Sequence, residues 1–158
     1  MASLIDINST NWSLYSIPAA FALVMIPHFY ANTAAGKNYD LANPGKTLEH
    51  LAKDTTFNKA ALARITRAKA AVNNGFETLA FFAGGVVAAN AAGVPTAKLN
   101  KLALGYLASR VLYNYVYVIL QDNKKFAGLR SLIWIVGVSI IFALYISAGN
   151  LLNAKLAL

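Results

Sequence analysis

The sequence predicts an all-α protein that folds as a four-helix transmembrane bundle in a single domain covering residues 1–158. Hydrophobic residues make up 58% of the chain and charged residues only 13%, which exceeds the apolar share of a typical soluble domain. Four apolar stretches also approach the ~20 residues that a helix needs to cross a bilayer. We place these spans at residues 12–31, 68–92, 99–120 and 131–152.

The first span follows a segment, residues 1–11, that contains no basic residue. A cleavable signal peptide would carry positive charge there, so we expect residues 12–31 to remain as a membrane helix. Two glycosylation sequons begin at Asn8 and Asn11, next to this span. We expect their closeness to the membrane to leave them unused.

A loop of residues 34–63 separates the first two spans, and a strong turn signal, Asn43-Pro44-Gly45, lies within it. The second helix is predicted to begin before the membrane, from about Phe57. Basic residues concentrate in this loop and between the third and fourth spans, so both connections are predicted to be cytoplasmic and both termini lumenal or exterior. We interpret these charges as flanks of the spans and expect no nucleic-acid partner.

The second and third spans are joined only by residues 93–96, so we expect these helices to be antiparallel neighbours. Small residues spaced every fourth position let membrane helices approach closely, which predicts tight packing within the bundle or between subunits. On the second span these residues are Ala80, Gly84, Ala88 and Ala92. The fourth span is the most apolar, since only Gly137 and Ser139 interrupt residues 132–146.

Two charged residues lie near the middle of predicted spans, Glu77 in the second and Arg110 in the third. A charge at bilayer depth costs at least ~2.5 kcal/mol, so it normally faces the bundle interior and has a partner. Each residue is about ten positions, or ~15 Å, from the cytoplasmic end of its span. We therefore expect the two side chains to meet as an ion pair.

Further polar side chains extend from this pair toward the cytoplasmic end, on one face of each helix. So many donors and acceptors are costly in lipid unless water or a ligand meets them, so we favour a ligand site over a structural polar seam. The basic residues at its mouth would attract an anion. The polar residues are Asn73, Asn74, Tyr113, Asn114, Tyr117 and Gln121, and the basic ones are Arg67, Lys69, Lys124, Lys125 and Arg130.

The chain contains no cysteine, which excludes disulfides, thiolate catalysis by the protein and cysteine metal sites. Its two histidines, His28 and His50, are far apart in sequence and have no acidic cluster nearby. We therefore expect no metal site.

Three motifs occur in order along the chain, at residues 64–77, 109–117 and 129–134. They resemble signatures of the MAPEG family (membrane-associated proteins in eicosanoid and glutathione metabolism). Residues 64–77, RITRAKAAVNNGFE, resemble its second-helix signature. Residues 109–117, SRVLYNYVY, look like its third-helix signature, and residues 129–134, LRSLIW, look like the Arg-Ser motif that opens its fourth helix. The resemblance keeps the order of motifs, covers all four predicted spans and is strongest toward the microbial and fungal branch.

The resemblance implies a homotrimer among membrane lipids, in the endoplasmic reticulum or another intracellular membrane. It also implies that glutathione binds as cosubstrate between subunits near the cytoplasmic face, and that a lipophilic substrate enters from the bilayer. Arg130 would stabilise the thiolate, with Ser131 as a second hydrogen-bond donor to sulfur. The residues implied to hold glutathione are Arg67, Asn74, Glu77, Arg110, Tyr113, Asn114 and Tyr117.

The chain departs from the eicosanoid branch of that family in its cationic residues. Those enzymes have a second arginine where this chain has Ala70, and many have an arginine in the first helix, where this chain offers only His28 and Tyr30. The predicted site therefore has fewer cationic groups to bind glutathione.

Three functions stay open at this point. The first is a glutathione-dependent transferase or peroxidase acting on lipophilic electrophiles or hydroperoxides, which the retained Arg110, Tyr117, Arg130 and Ser131 favour. The second is a non-enzymatic lipid-binding or scaffolding role. The third is a glutathione-independent isomerase or cyclase of a hydrophobic metabolite, with Glu77 and Tyr117 as acid–base groups.

Overall fold

The computed structural model describes residues 9–157, and within that range the chain is helical and contains no strand. The all-α fold predicted from the sequence is therefore confirmed. Five α-helices follow one another along the described chain: α1 (Ser16–Ala35), α2 (Thr47–Lys53), α3 (Lys59–Ala92), α4 (Thr96–Val118) and α5 (Ala127–Leu156).

Among the described helices, α1, α3 and α5 are long and apolar enough to cross a membrane, judged by length and composition. The 23-residue α4 does not meet the same test. Its polar residues, among them Lys101, Arg110 and Asn114, lower its mean hydropathy. A helical membrane bundle is thus supported, while a fourth span formed by α4 stays a prediction.

The longest helix is α3, whose 34 residues at ~1.5 Å each exceed the ~30 Å hydrocarbon core of a bilayer. It begins at Lys59, close to the start predicted near Phe57. The Asn58 side chain caps this end, because its oxygen accepts hydrogen bonds from the N–H groups of Ala60 at 2.8 Å and Ala61 at 3.2 Å. The helix therefore extends beyond the membrane at one end or both.

The central pair of the bundle is α3 and α4, since each packs against the other and against both α1 and α5. Gly93 ends α3 in the left-handed conformation, with φ 83°. Its N–H donates to the Asn90 carbonyl at 3.0 Å, and the chain enters α4 three residues later. The two helices are antiparallel, as the short connection predicts, because Arg67 near the start of α3 contacts the Val118 carbonyl at the end of α4.

The ladder of small residues on α3 meets different neighbours along its length. At Gly84 the neighbour lies within the bundle, because the Tyr145 hydroxyl of α5 packs against that glycine and donates to the Phe81 carbonyl at 3.1 Å. Ala80, one turn earlier, is exposed in the single chain. The prediction of close packing inside the bundle is therefore confirmed at Gly84, and a subunit contact at Ala80 stays a prediction.

Asparagine side chains tie the N-terminal segment to the end of the bundle where α3 meets α4. The Asn100 side-chain oxygen accepts from the Trp12 backbone N–H at 2.9 Å. The Asn90 oxygen accepts from the Asn11 amide at 2.6 Å, and the Asn90 amide donates to the Ser13 hydroxyl at 2.9 Å. These bonds fix the chain that leads into α1.

This network includes the sequon that begins at Asn11. The Asn11 amide nitrogen is bonded to Asn90, and Ser13 is buried. Asn11 itself is exposed, so the expectation that this sequon is unused stays a prediction. Asn8, which begins the other sequon, lies outside the described residues.

The opposite end of the bundle is covered by α2 and the chain around it. Leu51 of α2 is buried and packs with Ile65 of α3 in an apolar cluster. The Lys69 ammonium of α3 donates to the Pro44 carbonyl at 3.1 Å, which anchors this segment to the bundle. The same end contains the connection from α4 to α5, beside which a cavity lies.

Candidate functional site

A cavity of about 480 Å³ lies between α3, α4 and α5, near the connection from α4 to α5. It brings together five of the nine site residues predicted from the sequence. These are Asn74 of α3, Tyr113 and Tyr117 of α4, and Arg130 and Ser131 of α5. The remaining lining residues are Ala70, Trp134 and Ile135.

Arg130 stands at the cavity wall in contact with an aromatic pair. Its Cζ lies 4.7 Å from the Tyr117 ring centroid, and the Tyr117 ring meets the Tyr113 ring edge-on at 5.6 Å. A cation–π contact of this kind contributes ~0.5–2 kcal/mol and orients the guanidinium. Among the described residues, no carboxylate pairs with Arg130. Its charge is therefore available to an anion in the cavity.

Arg110 lies beneath the cavity floor and is only 3% exposed. Its Nη1 donates to the Asn74 side-chain oxygen at 3.2 Å and to the Thr78 hydroxyl at 3.5 Å. Its Cζ lies 4.7 Å from the Tyr113 ring centroid. Nε and Nη2 are buried without a hydrogen-bond partner. The helix α5 crosses at this point, because a Cβ on Gly137 would lie only 2.9 Å from Nη2.

The predicted ion pair between Glu77 and Arg110 is wrong. No ion pair of Glu77 occurs among the described residues, and its side chain is exposed in the protomer. Asn74 and Thr78 face Arg110, and Glu77 points ~100° away from Thr78 around the helix axis. Equal distance from the helix ends indicated a common height, but it carried no information about direction around the axis.

Asn114 lies outside the cavity lining and faces α1. Its amide donates to the Leu23 backbone carbonyl at 2.9 Å. In a regular helix that carbonyl would accept from the N–H of residue 27, but Pro27 has none. Asn114 therefore supplies the hydrogen bond that Pro27 removes, and its implied role in binding glutathione stays a prediction.

Arg67 also lies outside the cavity lining and is engaged by the end of α4. Its Nε donates to the Tyr117 carbonyl at 3.0 Å and its Nη2 donates to the Val118 carbonyl at 3.1 Å. Nη2 also pairs with Asp122, which Arg64 contacts through Nε at 2.7 Å. The hydrogen bond from Arg64, supported by that from Arg67, holds the pKa of the Asp122 carboxyl below its ordinary value.

Sequence reasoning missed three residues at this end of the bundle. Trp134 and Ile135 follow Arg130 and Ser131 by four positions each, so helical spacing places them on the same face and could have found them. Asp122 is the only acidic residue between α4 and α5. A single acidic residue close to several basic ones could have indicated that Asp122 pairs with an arginine.

Comparison with known proteins connects this geometry to a family. The MAPEG family model matches residues 15–150, which include every residue that lines the cavity. The match does not distinguish branches of the family. Searches of curated proteins and of solved structures found no match. Because the matched segment covers most of the 158 residues, the chain belongs to the MAPEG family.

Proposed function

We propose that the protein is a membrane-bound, glutathione-dependent transferase or peroxidase that acts on lipophilic electrophiles or hydroperoxides. The cavity carries this proposal, because its lining brings Arg130 and Ser131 of α5 together with the polar groups of Asn74, Tyr113 and Tyr117. Membership of the MAPEG family, which includes glutathione transferases and peroxidases, supports it.

The cavity suits a small peptide thiol in size and in chemistry. Its volume falls within the ~300–1,000 Å³ typical of small-molecule sites. The Asn74 oxygen accepts from Arg110, which leaves the Asn74 amide nitrogen free to donate to a ligand. Glutathione has two carboxylates and one ammonium, and carboxylates form strong charge-assisted hydrogen bonds with a guanidinium such as that of Arg130.

Arg130 and Ser131 are the residues that we assign to the thiol. In the transferase reaction an S–C bond forms, the leaving group departs with its electron pair, and the thiol proton passes to solvent. In the peroxidase reaction two thiols become a disulfide while the hydroperoxide is reduced to an alcohol and water. Both reactions are faster from a sulfur anion, and Arg130 stabilises that charge. The Ser131 hydroxyl donates to the Ala127 carbonyl over a long 3.5 Å, and it would turn from that carbonyl to donate a second hydrogen bond to sulfur.

We expect neighbouring copies in a homotrimer to complete the site. Glu77 lies near the middle of α3 and is exposed in the protomer, although a carboxylate at that depth is costly in lipid. A neighbouring subunit would cover Glu77 and leave it available to the glutathione ammonium. We place the cavity toward the cytoplasm and the termini on the lumenal or exterior side, in the endoplasmic reticulum or another intracellular membrane.

A non-enzymatic role in lipid binding is the second candidate, and the positions of two arginines favour it. Arg67 is bonded to α4 and Asp122, and Arg110 lies beneath the floor. Among the described residues, Arg130 is therefore the one guanidinium in the cavity lining. Trp134 and Ile135 supply apolar surface beside it.

Addition of glutathione to the protein purified in mild detergent separates these candidates. A bound thiolate is visible as ultraviolet absorbance, and we expect that absorbance to rise and saturate. No absorbance with folded wild-type protein would overturn the glutathione-dependent function. Saturable binding of a fluorescent fatty acid in the same sample would then support the lipid-binding role.

The roles of individual residues are tested by turnover of an aryl halide. Arg130→Ala is expected to lower turnover at saturating glutathione by ~100-fold or more, because it removes an anion-stabilising donor. Asn74→Ala is expected chiefly to raise the glutathione concentration needed. Lys101→Ala is the control and should change neither quantity, since it removes an exposed cation near the start of α4, away from the cavity.

A further inference from the structure

Three charged residues at the end of α4 lie outside the cavity lining: Arg64 and Arg67 of α3 and Asp122 of the connection to α5. We call these three residues the α4 clasp. Both arginines bond the same carboxylate. Arg67 in addition donates to the Tyr117 carbonyl at 3.0 Å and to the Val118 carbonyl at 3.1 Å. The clasp therefore joins α3 to the last turn of α4 and to the chain beyond it.

That chain leads from one cavity residue, Tyr117, to another, Arg130. It contains two short 3-10 turns, each closed by a backbone hydrogen bond of 3.1 Å. Asp122 ends the first turn, and the Asn123 side chain accepts from the Lys125 N–H at the start of the second, also at 3.1 Å. A short, hydrogen-bonded connection transmits a displacement at Asp122 to the first turn of α5.

The residues at the two ends of this connection, Tyr117 and Arg130, contact each other in the cavity lining. The Arg130 guanidinium lies 4.7 Å from the Tyr117 ring centroid, and the backbone carbonyl of Tyr117 is the one that Arg67 bonds. Arg67 thus fixes one member of the Tyr117–Arg130 pair directly. Asp122 is linked to the other member through the two turns.

We propose that Arg67 and Asp122 are positioning residues that hold Tyr117 and Arg130 against each other in the cavity lining without contacting substrate. This role differs from the glutathione-binding role that the family resemblance implies for Arg67. The kinetic consequence of the proposal rests on the glutathione-dependent function proposed above. Its structural consequence does not.

The clasp acts on geometry more than on overall stability. Exposed ion pairs contribute little to the free energy of unfolding, and the Asp122 side chain is 37% exposed. The Arg67 side chain is only 16% exposed, and it is held by two backbone carbonyls as well as by the carboxylate. A misplacement of about 1 Å at a reacting group can lower a rate by ~100-fold, so a small displacement of Arg130 is measurable.

Tryptophan fluorescence tests the structural consequence without any substrate. The chain has two tryptophans, and Trp134 lines the cavity one turn after Arg130, so Trp12→Phe leaves a single reporter. In that background of the full chain, we expect Asp122→Asn and Arg67→Lys to increase quenching of Trp134 by acrylamide. Asp122→Glu, which keeps a carboxylate for the two arginines, should leave the quenching of Trp134 at the value of the Trp12→Phe parent.

The matched control is Glu49→Gln, which breaks an exposed ion pair with Lys53 away from the cavity. It should leave Trp134 quenching at the parent value, while a change equal to that of Asp122→Asn would overturn the proposal. Unchanged quenching in folded Asp122→Asn would also overturn it. If Asp122→Asn does not fold, Arg67→Lys decides in the same way, since lysine keeps the charge but lacks the planar fork.

Kinetics in two backgrounds test the second consequence. With Arg130 present, Asp122→Asn should lower turnover at saturating glutathione about tenfold and leave the glutathione KM nearly unchanged. With Arg130→Ala already in place, Asp122→Asn should cause no further loss. Equal losses in both backgrounds would overturn positioning through Arg130. Absence of turnover in the wild type would count against the glutathione function, and the fluorescence result would still decide the positioning role.

Discussion

Buried polar groups toward the two ends of α4 differ in whether their hydrogen bonds are satisfied. Near the start of α4, Asn100 uses both ends of its amide, because it accepts from the Trp12 N–H at 2.9 Å and donates to the Thr10 carbonyl at 2.7 Å. Toward the other end, Arg110 is almost fully buried, yet its Nε and Nη2 have no partner. Arg130 beyond it contacts an aromatic ring and no carboxylate of the described chain.

This difference separates a structural polar cluster from one suited to binding. Polar groups that are fully paired inside a protein fix one arrangement, and they leave nothing for a ligand to bond. Unpaired donors cost folding free energy, and they persist where another molecule or another subunit can satisfy them. We therefore expect substitutions near Asn100 to lower stability, and substitutions around Arg110 and Arg130 to alter binding and turnover.

The largest expected effect is at Gly137, where α5 lies against the Arg110 guanidinium. A leucine there would drive its side chain into Arg110 and the Ser109 hydroxyl, because even a Cβ would lie 2.9 Å from each. Gly137→Leu should lower the free energy of unfolding by about 3 kcal/mol, measured by thermal unfolding in detergent. The control is Gly149→Leu on the same helix, where a Cβ meets nothing within 4 Å. Equal melting of the two variants would contradict close packing at Gly137.

The next effect is at the fully paired end. Asn100→Leu should lower the free energy of unfolding by about 2–3 kcal/mol, because it leaves the Trp12 N–H and the Thr10 carbonyl without their partner. Glutathione affinity of the remaining folded protein should stay at the wild-type value. Asn153→Leu, at an exposed position of α5, is the control and should change neither quantity. A change in glutathione affinity on Asn100→Leu would contradict a purely structural role for the polar groups near Asn100.

Arg110→Met should show the reverse pattern. Replacing a buried charge by an apolar group of similar volume is often neutral, so the free energy of unfolding should change by less than about 1 kcal/mol. Asn74 loses the donor that orients its amide, so glutathione should bind about five- to tenfold more weakly, as the loss of one hydrogen bond implies. Isothermal titration measures the affinity. A large loss of stability with unaltered glutathione affinity would instead show that Arg110 has a structural role like that of Asn100.

The smallest effect concerns the α4 clasp and pH. Arg64, with help from Arg67, lowers the pKa of the Asp122 carboxyl in the folded protein. A lowered carboxyl pKa stabilises the fold above the unfolded-state value of about 3.9, and that contribution is lost as pH falls through the folded-state value. The melting difference between wild type and Asp122→Asn should therefore be constant from neutral pH to the mildly acidic range and vanish only below it. A difference that vanished at mildly acidic pH would contradict the lowered pKa.

Local signals in the sequence were sufficient to predict the framework. Apolar runs predicted the long helices, and the short connection at Gly93 predicted the antiparallel pair α3 and α4, since both depend on neighbouring residues only. The motif around Arg130 and Ser131 indicated residues that the structure places in one cavity with Tyr117. Helical spacing and depth had already grouped Tyr117 with Arg130 at the mouth of the site, and the resemblance to a family added Ser131.

The sequence did not reveal which way side chains point around a helix axis, nor which ones bond a distant backbone atom. Glu77 and Arg110 were paired by height along the helices, but the facing residues are Asn74 and Thr78. The Asn114 side chain bonds a backbone carbonyl 91 positions away in the sequence, a contact that the sequence did not predict, while its implied role toward glutathione stays a prediction. No pattern in the neighbourhood of Asn114 reveals a carbonyl without a donor in another helix.

The bond between Asn114 and α1 also couples the evolution of two positions. The Leu23 carbonyl needs a donor from α4 only while residue 27 is a proline, because any other residue there would supply its own N–H. A lineage that replaced Pro27 would release Asn114 from this constraint, whereas one that lost Asn114 first would carry an unsatisfied carbonyl. Substitution at position 27 is thus the permissive step, and the order in which the two sites change is set by backbone chemistry.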